Sequence, residues 1–255
     1  DDNIPLVQGM WDPKNPLDFR LEYSHQQVAV ATAIQPRPEK ILVLGLGVGA
    51  IPRTLRALFP GMVADVVEID SEVIEATRGF FQLRDDEQML RVHNDDATAF
   101  VKREECKGEY SIVYMDAYNA QGIPDTLLTE EFYNDMISCL RPGGVLSINL
   151  IDDVEGAETV LDYAEDLLVE PMIIRAPSTS NQAIFGVPKS KVTASGEPGS
   201  DEEGVPYHTL VLRGMQARAG AIDSRLTLPF SVAPYVNSIE LLEDVRARNF
   251  SWDLK

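Results

Sequence analysis

This sequence is short of sulfur, histidine, basic charge and long apolar runs. Each shortage closes off a class of protein. Two cysteines, Cys106 and Cys139, lie alone in different segments. They offer neither a disulfide framework nor paired metal ligands, and they fit a reducing compartment, from which a cytoplasmic location is expected. The 3 histidines show no ligand spacing, so no metal site is expected. No apolar run approaches the roughly 18 residues of a membrane span, and no basic segment followed by an apolar stretch opens the chain. The sequence begins on Asp1, not Met, and is expected to be a trimmed piece from which a leader or fused partner could be missing. Lys and Arg number 22 against 41 Asp and Glu, a net charge of −19. Such a surface repels phosphate backbones and argues against direct nucleic-acid binding. The same field attracts a cationic amine or a basic protein segment, or simply keeps the chain in solution. What is present is 44% hydrophobic residues over 255 positions, enough for one sizeable globular domain with a core.

The chain is organised around residues 40–70, KILVLGLGVGAIPRTLRALFPGMVADVVEID. Ile41 to Leu44 is the continuous apolar run of a strand buried on both faces. Gly45, Gly47 and Gly49 follow at once, where backbone must turn sharply or lie against a ligand. Pro52 falls in the first turn of the next segment, and Ile51, Leu55 and Leu58 space one helical face. Val63 to Val67 forms a second strand that ends in Glu68, Ile69 and Asp70. Glu68 follows Gly45 by 23 positions, placed to accept hydrogen bonds from a ribose diol. The nucleotide is open between NAD and S-adenosylmethionine at this point, because Pro52 stands where G-x-G-x-x-G would have its last glycine.

The remaining pattern decides between them. Residues 1–20 read as an irregular arm with a short strand near Ile4 to Val7, and residues 21–34 as a helix ended by Pro36 and Pro38. Glu22, Tyr23, His25 and Gln26 on that helix are candidates to border a substrate cavity, or simply belong to a packed helix. Further strands are expected at 91–93, 110–115, 145–150, 172–175 and 182–187, with helices beginning near Ser71, before Phe100, near Thr129 and at Ala157. Leu140 is placed on the helix from Thr129, and Arg141 to Gly144 is read as a turn. Asp95 and Asp96 end the third strand, where a carboxylate can accept from an adenine amino group or cap the next helix. Asp116 ends the fourth strand, ahead of a long loop of the kind that lines sites in open α/β sheets. The pattern is an α/β fold: a Rossmann-like, seven-stranded, mostly parallel sheet with helices on both faces, as in class I S-adenosylmethionine-dependent methyltransferases. Residues 1–38 are expected to form an arm and helix, 39–188 the cofactor-binding core, and 189–255 a flexible excursion and helices at 207–219 and 238–248 packed on the core.

The run ILVLGLGVGAIPRTLRALFP, VVEID, RVHNDDATAF, YMDAYNAQGIPDTLLTEEFY, LRPGGVLSINL resembles the spermidine synthase-like branch of the S-adenosylmethionine-dependent transferases. It is similar also to methyltransferase-like domains that act on elongation factor 1A. The resemblance implies that Gly45, Leu46, Gly47 and Gly49 bring backbone to the cofactor, that Glu68 and Ile69 meet its ribose end, and that Asp95, Asp96 and Ala97 sit at the adenine. It places Asp116 where aminopropyltransferases carry the aspartate that takes a proton from the attacking amine. Tyr23, Tyr118 and Asn119 are candidates to shape the acceptor pocket. Two departures stand out. Val48 occupies the glycine-turn position of an aspartate that binds the donor's free amino group, and Asn119 stands where a second aspartate grips the diamine. The N-terminal segment is also short of the family's β-hairpin domain.

Three readings follow. The first is methyl transfer from S-adenosylmethionine to an amine, on a small molecule or a protein. It is motivated by Val48, which should tolerate the intact cofactor. The second is aminopropyl transfer from decarboxylated S-adenosylmethionine, motivated by Asp116 and the motif order. The third is a non-catalytic cofactor-binding module. In the first two, holding an amine in line with a carbon next to sulfonium supplies most of the acceleration, and Asp116 would orient the amine and take its proton. Asp116 could instead anchor a ligand or cap the following loop. Relatives in this branch suggest a homodimer.

Overall fold

Alternation along each strand builds the sheet that carries the site. Ile41, Val43, Ala64, Val66 and Ile112 pack one face, and Leu42, Leu44, Val67, Val113 and Met115 the other. Side chains of a strand point to opposite faces in turn, so strands covered on both sides must be apolar at successive positions. The structure, a computed structural model, describes residues 10–19, 22–35, 37–119, 122–152, 154–175, 180–192, 207–225 and 228–250.

A small hairpin comes first, β1 (Trp11–Asp12) and β2 (Asn15–Phe19). Asp12 closes its turn by accepting from Lys14 N at 2.8 Å and Asn15 Nδ2 at 3.2 Å. This corrects the irregular arm expected there; the strand expected near Ile4 to Val7 lies outside the described residues. Next come α1 (Glu22–Ile34), β3 (Lys40–Leu44), α2 (Ala50–Leu58), β4 (Val63–Glu68), α3 (Ser71–Gly79), β5 (Leu90–Asn94) and α4 (Ala97–Phe100). The second half holds β6 (Tyr110–Met115), α5 (Glu130–Cys139), β7 (Leu140–Ile151), α6 (Ala157–Leu167), β8 (Met172–Arg175) and β9 (Asn181–Gly186). It ends with α7 (Tyr207–Arg225), α8 (Ala233–Asn237), β10 (Glu240–Leu241) and α9 (Leu242–Phe250). Side chains start three of the helices: Asp70 caps α3, Asp96 caps α4 and Thr129 caps α5.

The main sheet runs β10-β8-β9-β7-β6-β3-β4-β5. Strands β5, β4, β3, β6 and β7 are parallel, and β9, β8 and β10 close the sheet antiparallel. The seven expected strands are all present, and the sheet has one more. Glu240 and Leu241 were expected inside the helix at 238–248, but they pair with Ile173 and Met172 along the outer edge of β8. An edge strand left open exposes its backbone groups, and this two-residue strand covers them before α9 begins. Leu140 and the Arg141–Gly144 segment likewise join β7 instead of a helix end and a turn, with Gly143 at φ 71 absorbing the irregular register against β6. Helix α7 continues to Arg225, past the expected end, and residues 193–206 of the expected excursion lie outside the described residues. No helix of the described residues is long and apolar enough to cross a membrane.

Candidate active site

The carboxyl ends of β3, β4, β5 and β6 lie side by side, so the loops that leave them converge at one end of the sheet. The glycine turn comes first. Gly45 has φ +100, and a Cβ on it would lie 2.1 Å from the carbonyl oxygen of Asp116. Only glycine fits that contact. Gly47 has φ +50 with open space where a side chain would project, a cradle in which a ligand can reach the backbone. Thr77 Oγ1 donates to the Gly47 carbonyl at 2.5 Å and fixes the turn from α3. Gly49, at φ +74, begins α2 without a side-chain cap. Leu46 and Val48 turn inward: Leu46 packs with Val28 and Ile51, and Val48 with Phe19, Ala50, Trp11 and Phe81. Their contribution to any ligand is therefore backbone.

Glu68 closes the turn from the neighbouring strand. Its Oε2 accepts from Leu46 N and its Oε1 from Asp70 N, both at 3.0 Å. Ile69 beside it is 69% exposed, an apolar side chain with nothing over it at the mouth of the turn. Asn94 Nδ2 donates to the carbonyls of Glu68 and Ile69 and holds this corner to β5. Asp95 pairs with Arg103 and accepts from Asp96 N. Asp96 caps α4, accepting from Thr98 N at 2.7 Å and Thr98 Oγ1 at 2.6 Å, and these bonds hold its carboxyl below the usual range. Ala97 is the first residue of α4, half-buried beside them.

Asp116 faces this corner from the end of β6. Burial pushes its carboxyl up to about 7; the Glu68 charge adds to the rise, and a hydrogen bond from Asn149 opposes it. Asn149 Nδ2 donates to Asp116 Oδ1 at 2.8 Å, and Asn181 Nδ2 donates to Asn149 Oδ1 at 3.2 Å. Tyr118 OH donates to the Asn149 carbonyl at 2.6 Å and accepts from Ile151 N, which pins the long loop to β7. Burial and the Asp116 charge raise the hydroxyls of both Tyr118 and Tyr23, so both phenols stay neutral and both stand near the acid.

The sequence candidates thus separate. The structure brings Tyr23 and Tyr118 to Asp116. Asn119 is exposed, and its Oδ1 accepts from Gly122 N. His25 stacks on Phe230 with centroids 4.0 Å apart and meets Tyr235 OH at 3.2 Å, and that hydroxyl donates to Glu22. These two face α8, not Asp116. Gln26 is fully buried, so it borders no open cavity. Sequence reasoning missed Asn149 and Asn181. The signal for Asn149 was present: Ser147 and Asn149 are polar residues two apart in the otherwise apolar stretch 145–150. Among the described residues no group of three His, Cys, Asp or Glu could hold a metal ion.

A glycine turn, an acid ending the neighbouring strand and a half-buried acid beyond β6 meet at one end of a Rossmann-like sheet, the fold shared by the S-adenosylmethionine-dependent transferases. The spermine/spermidine synthase domain profile matches residues 21–167, and the chain belongs to that family. It is 35% identical over 138 residues to a polyamine aminopropyltransferase of Vibrio vulnificus, covering 53% of this chain and 46% of that protein. A probable polyamine aminopropyl transferase of Bifidobacterium longum is 27% identical over 68% of this chain and 37% of its own length. The chain therefore spans less than half the length of these curated relatives. Among solved structures, a probable spermidine synthase from Corynebacterium glutamicum superposes with TM-score 0.65 at 18% identity, over 91% of this chain and 78% of that one. Human methyltransferase-like protein 13, in complex with SAH, gives 0.61 at 20% identity, over 78% and 92%. At these identities the two structures speak for the fold.

Proposed function

We propose that the chain transfers an aminopropyl group from decarboxylated S-adenosylmethionine to an amine. The observation that carries this reading is Asp116: its backbone carbonyl packs against Gly45 of the glycine turn, and its half-buried carboxyl, raised to about 7, is flanked by two neutral phenols. The names of the curated relatives favour aminopropyl over methyl transfer, the second of the sequence expectations over the first.

The residues present suit the donor. The open space at Gly47 admits it to the backbone, Glu68 offers acceptors to a ribose diol, and exposed Ile69 offers an apolar surface to the base, with Asp96 and Ala97 at its edge. The donor supplies a carbon activated by sulfonium. Asp116 does the rest. An alkylamine near pKa 10 is mostly protonated at neutral pH. The Asp116 carboxylate attracts that ammonium, and with its own affinity for protons raised it can take one as the nitrogen attacks. Tyr23 and Tyr118 exclude water and narrow the approach. The two cysteines, buried and unpaired, support a reducing, cytoplasmic setting.

One observation favours a second reading. Val48 packs its side chain inward, so this position of the turn presents no acid to the donor's free amino group, which suits transfer of methyl from intact S-adenosylmethionine. Calorimetric titration with each donor, followed by product analysis with putrescine present, separates the two. Tighter binding of the decarboxylated donor with amine-dependent release of methylthioadenosine is expected. Preference for the intact donor with release of S-adenosylhomocysteine would replace the proposal by methyl transfer, and binding of neither would leave a fold without this chemistry.

A further inference from the structure

Asn149 is 3% exposed, and both ends of its amide are engaged, with Nδ2 on Asp116 and Oδ1 on Asn181. The two partners differ in what they require. An ionised carboxylate only accepts, so it calls for the NH2 end of the amide; a protonated carboxyl can equally donate to the oxygen end. The present orientation therefore favours the ionised form, and turning the Asn149 amide over, with its oxygen toward Asp116, would favour the protonated one. That rotation would aim its NH2 group at the NH2 group of Asn181, donor against donor. Asn181 itself is anchored as the first residue of β9, in register with Ile151.

We propose that Asn181 is a positioning residue: by holding the Asn149 amide in one orientation, it keeps Asp116 in the ionised form that can receive a proton from an amine. The surroundings make this bond matter. Burial and the charge of Glu68 at the end of β4 both oppose ionisation of Asp116. Tyr23 on α1 and Tyr118 in the loop after β6 are neutral and bring no positive charge. The amide of Asn149, on β7, is the group whose hydrogen bond favours the charged acid. Neither Asn149 nor Asn181 is a residue that the motif pattern singles out.

The catalytic consequence rests on the amine-transfer reading, but the test does not. The Asp116 carboxyl is titrated by carbon-detected NMR in the full chain, without donor or acceptor. Asn149→Leu should raise the midpoint by about one pH unit, the size expected for losing one hydrogen bond to a charged group. Asn181→Leu should raise it in the same direction by less, although it removes nothing that touches Asp116. Asn181→Gln, which keeps an NH2 donor, should stay near the parent value. An unchanged midpoint in Asn181→Leu, or a Gln variant that moves as far as the Leu variant, would overturn the proposal. If Asn181→Leu does not fold, Asn181→Ala is read in its place with the same two outcomes.

Discussion

Glu68 Oε2 accepts the backbone N–H of Leu46 at 3.0 Å, so the acid that ends β4 is bonded to the turn that ends β3. The bond orients the carboxylate before any ligand arrives. It also keeps a negative charge close enough to Asp116 to raise its carboxyl. Glu68→Gln should weaken binding of an adenosine-containing donor by roughly tenfold to a hundredfold, the worth of a hydrogen bond to a charged group. The same change should lower the Asp116 midpoint below about 7. Calorimetry and the carboxyl titration check the two effects separately.

Gly45→Ala puts a methyl group 2.1 Å from the Asp116 carbonyl oxygen at a backbone angle of +100°. Both the contact and the angle must be relieved. We expect a loss of about 2–4 kcal/mol in stability, measured by chemical denaturation. Gly47→Ala meets no atom within 4 Å, so it should cost less and act mainly on donor affinity.

Asp116→Asn should slow transfer by roughly a hundredfold or more, while donor affinity changes by a few-fold at most. In the parent, rate should rise with pH around a midpoint near 7 as the carboxylate forms. Stability should move the opposite way. A carboxyl whose folded value is raised from 3.8 to about 7 binds its proton better in the folded state. Its contribution is therefore full below about pH 4 and is lost as pH rises through about 7. Relative to Asp116→Asn, the parent should weaken across that window, which thermal melts at several pH values will read.

A second acid, this one fully enclosed, carries the reverse sign. Asp65 is 3% exposed at the opposite end of the sheet, bonded to Arg91 at 2.7 Å, His93 at 2.8 Å and Tyr110 OH at 3.0 Å. Burial pushes its carboxyl up, but the His93 bond, the Arg91 charge and the Tyr110 bond outweigh it and hold the group below its ordinary value. Its stabilisation is present above about pH 4 and lost as pH falls through the depressed value. Asp65→Asn should cost about 2 kcal/mol at pH 7, less than a fully buried pair, because Arg91 and His93 are 34% and 31% exposed. The deficit should close in acid, and donor binding should be unaffected.

The features legible in the sequence are those built by neighbours in the chain. Strand, glycine turn and helix follow one another over residues 40–58, and Glu68 and Asp116 each end a strand whose apolar run announces it. Asn149 and Asn181 escaped notice because their meaning lies in register: 33 positions separate Asn149 from Asp116, and 32 separate it from Asn181. Glu240 and Leu241 were misread for a similar reason. Their local pattern suits a helix, and the open edge of β8 decides otherwise. Asn119 shows the converse. Its spacing from Asp116 matched a family position, but its side chain satisfies Gly122 N, a local bond that spacing alone does not reveal.

The missing Cβ of Gly45 has a consequence for anyone who would re-engineer this scaffold. The glycine turn proposed to hold the donor rests directly on the carbonyl of Asp116, the residue proposed to meet the acceptor. Loops after β3 and after β6 are therefore not interchangeable modules. A chimera that imports one from a relative must import the other, or the two halves of the reaction will be held at the wrong distance.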